Sequence, residues 1–226
     1  MRAGQNIAYT LIVLLLIAAL SLSNALQGNA ADYADLPQDA QHITPLKTGD
    51  MAPAFSVRTV ADEVFDFDPG KLQRPVIFVS FRGGWCPYCN MHLSELKNVV
   101  PEIRSRGIDV YFLSGDRPDI LYSSLKRETS EQIEGLDYVI LSDADIAAAR
   151  AFGTAFRVDE GYVAKLDKKG TDLADSSIRN FGALPVPAVY VIDRSGRIVF
   201  DFVNADYKIR LPADRLLAAA DAVVAD

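Results

Sequence analysis

With 226 residues, two cysteines and a formal net charge of −7 from 23 basic and 30 acidic side chains, the chain is long enough to bury a full core without covalent staples. Half of its residues are hydrophobic and 23% are charged, the composition of a globular protein. Two cysteines are too few for a disulfide-rich scaffold or a four-thiolate zinc site, and the acidic balance offers no footprint for a nucleic-acid backbone.

One segment departs from those averages. No charged residue falls between Ala3 and Ala31, Leu11 to Leu20 is unbroken aliphatic sequence, and Arg2 adds positive charge beside the amino terminus. A short basic start, an apolar core and small residues after it form the layout of an export leader. Residues 1–25 are predicted to be a signal peptide or a membrane anchor. Small residues at Ser23 and Ala25, and again at Gly28 and Ala30, place cleavage after Ala25 or as late as Ala30. The most apolar stretch, Ile7 to Leu22, would span about 24 Å as a helix, short of a bilayer core of about 30 Å. The protein is therefore expected to be exported, periplasmic or secreted, and to meet a membrane only through an uncleaved leader. Residues 26–47 read as a polar lead-in with Pro37 and Pro45, and residues 48–226 as one domain.

That domain alternates strand and helix signals. Val64-Phe65-Asp66-Phe67 reads as a short strand, and Pro75 to Ser80 is an apolar run suited to a strand buried on both faces. A helix is predicted from Pro87 to Arg104, with Leu93, Leu96, Val100 and Ile103 on one stripe. Asp109 to Ser114 is the next strand, followed by a helix after Pro118. Val139 to Ser142 is another strand, and Asp143 to Phe152 a short helix capped by Asp143 or Asp145. The segment Arg157 to Asn180 reads as a long substrate-side loop or solvated insertion. Ala188 to Ile192 and Ile198 to Phe202 flank the hairpin turn Asp193-Arg194-Ser195-Gly196. The last helix starts at Pro212 and carries Leu216, Leu217, Ala220, Val223 and Val224 at helical spacing. The pattern implies an α/β protein, a central mixed sheet covered by helices on both faces.

Both cysteines fall on the turn between the buried strand and the first helix, in Phe81-Arg82-Gly83-Gly84-Trp85-Cys86-Pro87-Tyr88-Cys89. Pro87 suits the first helical position, which puts Cys86 at the N-cap. Free N–H groups and the helix dipole favour an anion there and lower a thiol pKa. Cys89 lies one turn on, able to close a ring on an oxidised Cys86. Gly83 and Gly84 leave backbone open to a substrate, and Trp85 and Tyr88 are expected to shape the mouth of the site. A structural disulfide across so short a loop would constrain the unfolded chain by only about 2 kcal/mol. Zinc held by Cys86, Cys89 and His92 would lack a fourth ligand. Redox chemistry is the reading the CxxC spacing favours, with His92 and Glu95 as exposed helix residues.

These residues carry a family resemblance. Gly49-Asp50-Met51-Ala52-Pro53-Ala54-Phe55 resembles the opening of the AhpC/TSA (peroxiredoxin) family. Phe81 to Asn90 is similar to the signature of its CPYC-containing bacterial branch, and Leu184 to Asp193 resembles that branch's later strand. The resemblance implies a thioredoxin-like fold with the amino-terminal additions of peroxiredoxins, and it makes Pro187 the cis-proline facing the cysteines. It also implies a thiol peroxidase that reduces hydroperoxides through a sulfenic acid and takes electrons from a thioredoxin-like protein, with no cofactor or metal.

Two departures bear on the site. Cys86 stands where the family usually carries threonine, so the alignment makes Cys89 the peroxide-reacting thiol while local chemistry favours Cys86. The family's peroxide-polarising arginine is replaced by proline before the last central strand, leaving Arg82 and Arg179 as candidates for its role. The alternative reading is an exported thiol-disulfide oxidoreductase similar to the reductases of cytochrome maturation, using the same Cys86–Cys89 pair on protein disulfides.

Overall fold

The Pro75–Ser80 run becomes the centre of a mixed sheet because sheet neighbours flank it on both sides and side chains cover both of its faces. The computed structural model describes residues 33 and 35–225, so the leader lies outside the described residues, as does the question of its cleavage. Residues up to Leu36 belong to a separate unit, in which the Leu36 N–H donates to the Tyr33 carbonyl; the fold below is that of the unit from Pro37 onward. Its strands are β1 (Phe55–Arg58), β2 (Val64–Phe67), β3 (Val76–Phe81), β4 (Asp109–Ser114), β5 (Val139–Ser142), β6 (Ala155–Arg157), β7 (Ala183–Pro185), β8 (Ala188–Ile192) and β9 (Ile198–Val203). Its helices are α1 (Pro87–Glu95), α2 (Val99–Ser105), α3 (Arg127–Ile133), α4 (Ala147–Ala151), α5 (Glu160–Lys168), α6 (Ser177–Phe181) and α7 (Ala213–Ala225). The main sheet runs β2–β1–β5–β4–β3–β8–β9, with β6 and β7 paired apart from it.

β4 lies parallel to β3 and β5 parallel to β4, while β8 returns antiparallel with Phe78 opposite Tyr190. Alternate residues then segregate. Ile77, Val79 and Phe81 join α1, α2, the turn between them and α7 through Leu93, Leu96, Val100, Ile103, Leu216 and Ala220. Val76 and Phe78 turn the other way, into a cluster with Phe55, Phe67, Phe152 and Tyr190. Phe78 meets Phe67 edge-on at 4.8 Å, and Phe152 stacks on Tyr190 at 4.4 Å. Each fully buried side chain of this kind contributes roughly 1.5–3 kcal/mol of transfer free energy.

The helices differ from expectation in instructive ways. The helix expected from Pro87 to Arg104 is α1 and α2, separated by a tight 3-10 turn at Leu96–Asn98. Pro101 has no N–H to give to the Lys97 carbonyl, so one continuous helix would lose a bond there. The predicted stripe is buried all the same. After Pro118 there is only a 3-10 turn, Pro118–Ile120, and the helix waits until Arg127. The helix expected from Asp143 starts only at Ala147, with Ile146 as its N-cap, but Asp143 still serves its first turn from below: its two oxygens accept the Ala148 and Ala149 N–H groups at 2.9 and 3.0 Å. On α7, Leu216, Ala220 and Val223 are buried, whereas Val224 points to solvent.

The segment Arg157 to Asn180 is not an open loop. It holds α5 and α6, and buries Leu166, Ile178 and, between the two helices, Leu173 against Phe156, Leu184 and Val186. Arg117 ties it down with two 2.9 Å bonds to the Asp172 carboxylate, and the Ser177 N–H donates to the Gly115 carbonyl at 2.9 Å. The insertion therefore stands beside the carboxyl ends of the central strands, where the cysteines are.

Candidate active site

Phe81 ends β3, and the next five residues turn the chain into α1 with Cys86 as N-cap and Pro87 as first helical residue. The Cys86 carbonyl accepts the Cys89 and Asn90 N–H groups, both at 3.1 Å, and the Cys86 N–H donates to Gly83 O at 3.1 Å. Asn90, buried on α1, reaches back to donate to Gly84 O at 2.6 Å and Cys86 O at 3.0 Å, and accepts the Lys126 N–H at 2.8 Å. Under the turn lies the buried Asp116 carboxyl, one oxygen of which accepts the Gly84 N–H at 2.7 Å and the Ser124 hydroxyl at 2.9 Å. Burial pushes this carboxyl above the usual range. The space beside the two glycines is filled by the protein itself. A Cβ on Gly83 would lie 2.3 Å from the Trp85 indole nitrogen, and one on Gly84 would lie 2.1 Å from Ser124 Oγ. The turn is thus closed by Trp85 and Ser124 where an open approach for substrate was expected.

Both thiols are free, with Cys86 2% and Cys89 0% exposed. The Cys89 thiol, donating to the Cys86 sulfur, is the largest cause of a Cys86 pKa lowered to about 6; burial opposes it, and the charges of Arg210 and Arg82 assist. Cys89 is pushed well above its ordinary value, first by burial and then by sharing its proton with Cys86. The pair therefore loses one proton readily and holds the second.

The nearest guanidinium is one the sequence did not single out. Arg210, between β9 and α7, places Nη2 3.3 Å from Cys89 Sγ, while its Nε and Nη1 are buried with no hydrogen-bond partner. Pro187 lines the same small space together with Ser80, His92 and Arg210. Its peptide bond is trans, since no cis bond occurs among the described residues. The Val186 and Ala188 N–H groups, bonded to Thr154 O and Ser80 Oγ, hold the chain extended on either side of it, and trans is the lower-energy form of an X–Pro bond.

The other expected site residues divide. Tyr88 is half-buried with its ring edge-on to Tyr207 at 5.6 Å, Trp85 is half-buried 6.5 Å from Tyr162, and Pro87 is exposed. Arg82 is no surface arginine: it is 6% exposed, its guanidinium 4.1 Å above the Tyr207 ring and 5.6 Å from that of Phe156. Arg179 lies on α6, half-exposed and paired with Asp167, and takes no part. His92 is 4% exposed, contrary to the expected surface position, and its Nε2 donates to the Leu211 carbonyl at 3.1 Å. Burial first, and then the Arg210 charge, lower its pKa to about 4, which keeps it neutral. Glu95 is exposed, as expected. Arg210 and Tyr207 escaped the sequence reading because each meets the cysteine turn only through folding. The usable signal was the proline at the family's arginine position, which left a thiolate site in need of another cation.

Known proteins give the arrangement its place. Peroxiredoxin Bcp of Escherichia coli is 28% identical over 111 residues, 49% of this chain and 67% of that protein. Thiol-disulfide oxidoreductase ResA of Bacillus anthracis is 19% identical over 207 residues, 92% of this chain and 93% of its own. The reduced 2-Cys peroxiredoxin of Plasmodium vivax shares the fold, with a TM-score of 0.57 at 16% identity over 79% of this chain and 82% of that one. The AhpC/TSA family model matches residues 48–200, and with a thioredoxin fold, a reduced dithiol at the strand-to-helix turn and redox enzymes as relatives, the chain is an oxidoreductase belonging to the AhpC/TSA family.

Proposed function

We propose that the chain is an exported thiol peroxidase in which Cys86 is the nucleophile and Cys89 the resolving thiol. The observation that carries this reading is the buried, proton-sharing Cys86–Cys89 pair with the unpartnered N–H groups of Arg210 against it. A hydroperoxide is small enough to reach sulfurs that are almost closed to solvent, and free guanidinium donors suit an oxygen on which negative charge develops. The Cys86 thiolate attacks one peroxide oxygen and the O–O bond breaks. The leaving oxygen takes a proton from water and departs as alcohol or water, and Cys86 becomes a sulfenic acid. Cys89 then attacks Cys86 Sγ, the S–S bond forms and water leaves. A thioredoxin-like dithiol returns the pair to thiols by two exchanges and ends as a disulfide. The apolar leader and the absence of surplus cysteines suit work outside the cytoplasm.

A second reading, disulfide exchange with client proteins, is favoured by the ResA alignment over 92% of the chain and by the CxxC spacing. It requires the mouth formed by Trp85 and Tyr88 to open far enough for a protein disulfide. One experiment separates the two. Reduced wild type, Cys86→Ser and Cys89→Ser are each given one equivalent of hydrogen peroxide and followed by intact mass. The peroxidase reading expects a rapid disulfide in wild type and a trapped sulfenic acid in Cys89→Ser. Wild-type oxidation no faster than that of free cysteine would reject it. Trapping in Cys86→Ser alone would exchange the roles of the two thiols.

A further inference from the structure

Beside the thiols, but not lined by them, a cavity of about 300 Å³ opens between Arg82 on the β3–α1 turn, Phe156 on β6, Tyr162 on α5, Leu184 on β7 and Tyr207 after β9. Its walls are mostly aromatic and aliphatic. Besides the exposed Asp39, Arg157 and Asp159, its lining carries Arg82, which is only 6% exposed. The two rings over the guanidinium and the Tyr162 hydroxyl beside it provide partial compensation, but Nε is buried with no hydrogen-bond partner. Among the described residues no carboxylate forms an ion pair with it. The acids at the rim are engaged elsewhere: Asp39 accepts the Gln41 N–H and a His42 ring nitrogen, both at 2.8 Å, and Asp159 caps α5.

We propose that this cavity binds an amphipathic carboxylate, a small molecule whose anionic head pairs with Arg82 and whose hydrocarbon body lies against Phe156, Tyr162 and Tyr207. A buried guanidinium with no carboxylate paired to it is a costly arrangement that a ligand carboxylate relieves. The planar fork of arginine matches a carboxylate through two parallel N–H bonds. A neutral apolar ligand would leave the guanidinium without a carboxylate partner, and a cationic one would be repelled. The volume stands at the lower end of small-molecule sites, which favours a free carboxylate of modest length over a folded partner. The inference goes beyond the peroxidase reading and does not depend on it.

A consequence ties the cavity to the thiols. Cys86 faces Cys89, Arg210, Arg82 and Tyr162. A carboxylate on Arg82 cancels part of the positive charge acting on the Cys86 thiolate, so ligand binding and thiolate formation oppose each other reciprocally.

Binding is read on the reduced full-length protein by calorimetry and by the fluorescence of Trp85, the single tryptophan, which stands 6.5 Å from Tyr162. The probes are octanoate, octan-1-ol and octylamine. Octanoate is expected to bind at least tenfold more tightly than octan-1-ol, with octylamine weakest. Arg82→Met is expected to erase the preference for octanoate. Val158→Trp, at the cavity wall with Arg82 retained, is expected to abolish binding by filling the space. Saturating octanoate is expected to raise the pH midpoint of Cys86 ionisation, followed by thiolate absorbance. Equal affinity for octanoate and octan-1-ol, no binding of octanoate, or octanoate binding that survives Val158→Trp each overturns the proposal. If Arg82→Met does not fold, the probe ratio and Val158→Trp decide alone. None of the probes is a peroxide, so failure here leaves the peroxidase test untouched.

Discussion

A thiol at a helix N-cap gains from the orphan N–H groups around it, and Cys86 adds the S–H of Cys89 and two guanidinium charges. These outweigh the burial that opposes ionisation, and the thiol titrates at about 6. Iodoacetamide alkylation of Cys86 should therefore rise through about pH 6, level off above it, and be lost as pH falls. Cys89→Ala removes the largest stabilising donor and should move that midpoint upward, toward the ordinary thiol value of 9.0. An unmoved midpoint would transfer the effect to the helix end and the arginines. Arg210 acts at the same place by charge and by free donors. Replacing it with methionine should slow the reaction of reduced protein with hydrogen peroxide by about 100-fold or more, and lysine, a point charge without the fork, should restore only part. Stopped-flow tryptophan fluorescence reads both, and wild-type rates in Arg210→Met would leave the residue a packing role. The cysteines and Pro87 were legible because their chemistry is local to one turn. Arg210 was not, since 121 positions separate it from Cys89 and no pattern along the chain connects them.

The turn from β3 into α1 is the element on which this geometry depends. It is held by Asp116 from below, by Asn90 from α1 and by the Ser124–Leu125 backbone pressed against Gly84. A methyl group at residue 84 would sit 2.6 Å from the Ser124 carbonyl carbon and 2.7 Å from the Leu125 nitrogen, and backbone cannot swing aside as a flexible side-chain end can. Gly84→Ala should thus cost about 1–3 kcal/mol by overpacking, seen as a lower urea midpoint, and should also displace the Cys86 alkylation profile. A midpoint within error of wild type would mean that the contact relaxes freely. At this scale the sequence was most legible where one face is buried over many residues: β3, β4, β5, β8 and β9 fell within a residue or so of expectation. It was least legible where short pieces share a burden. The four residues of β1 pair with β2 but alternate too briefly to stand out. α5 and α6 bury only Leu166, Ser177 and Ile178 between them, so their polar majority read as an insertion. Pro101, in the first turn of α2, was the sequence sign of the break just before it at Leu96–Asn98, and the apolar stripe running across concealed the interruption.

Across the whole molecule, two buried groups on opposite faces of the sheet respond to acid in opposite directions. His92, in α1, titrates at about 4 in the fold against 6.5 for the free side chain. The unfolded chain binds its proton first, so the stability it contributes is complete above pH 6.5 and is lost as pH falls toward 4. Asp143, beneath α4, is raised by burial to about 7 from 3.8, despite the N–H groups it accepts. The folded chain binds that proton first, so its contribution is complete below pH 3.8 and is lost as pH rises through 7. Between pH 4 and 6.5 the two slopes oppose each other, and wild type should show little net change in stability from this pair. Single variants expose the slopes. His92→Gln, which can keep a donor toward the Leu211 carbonyl but cannot titrate, should gain on wild type by roughly 2 kcal/mol between pH 7 and pH 5. Asp143→Asn should lose ground to wild type by a similar amount over the same interval. Urea unfolding at the two pH values measures both differences. Parallel pH profiles for wild type and both variants would mean that neither group carries its shifted pKa in the folded protein.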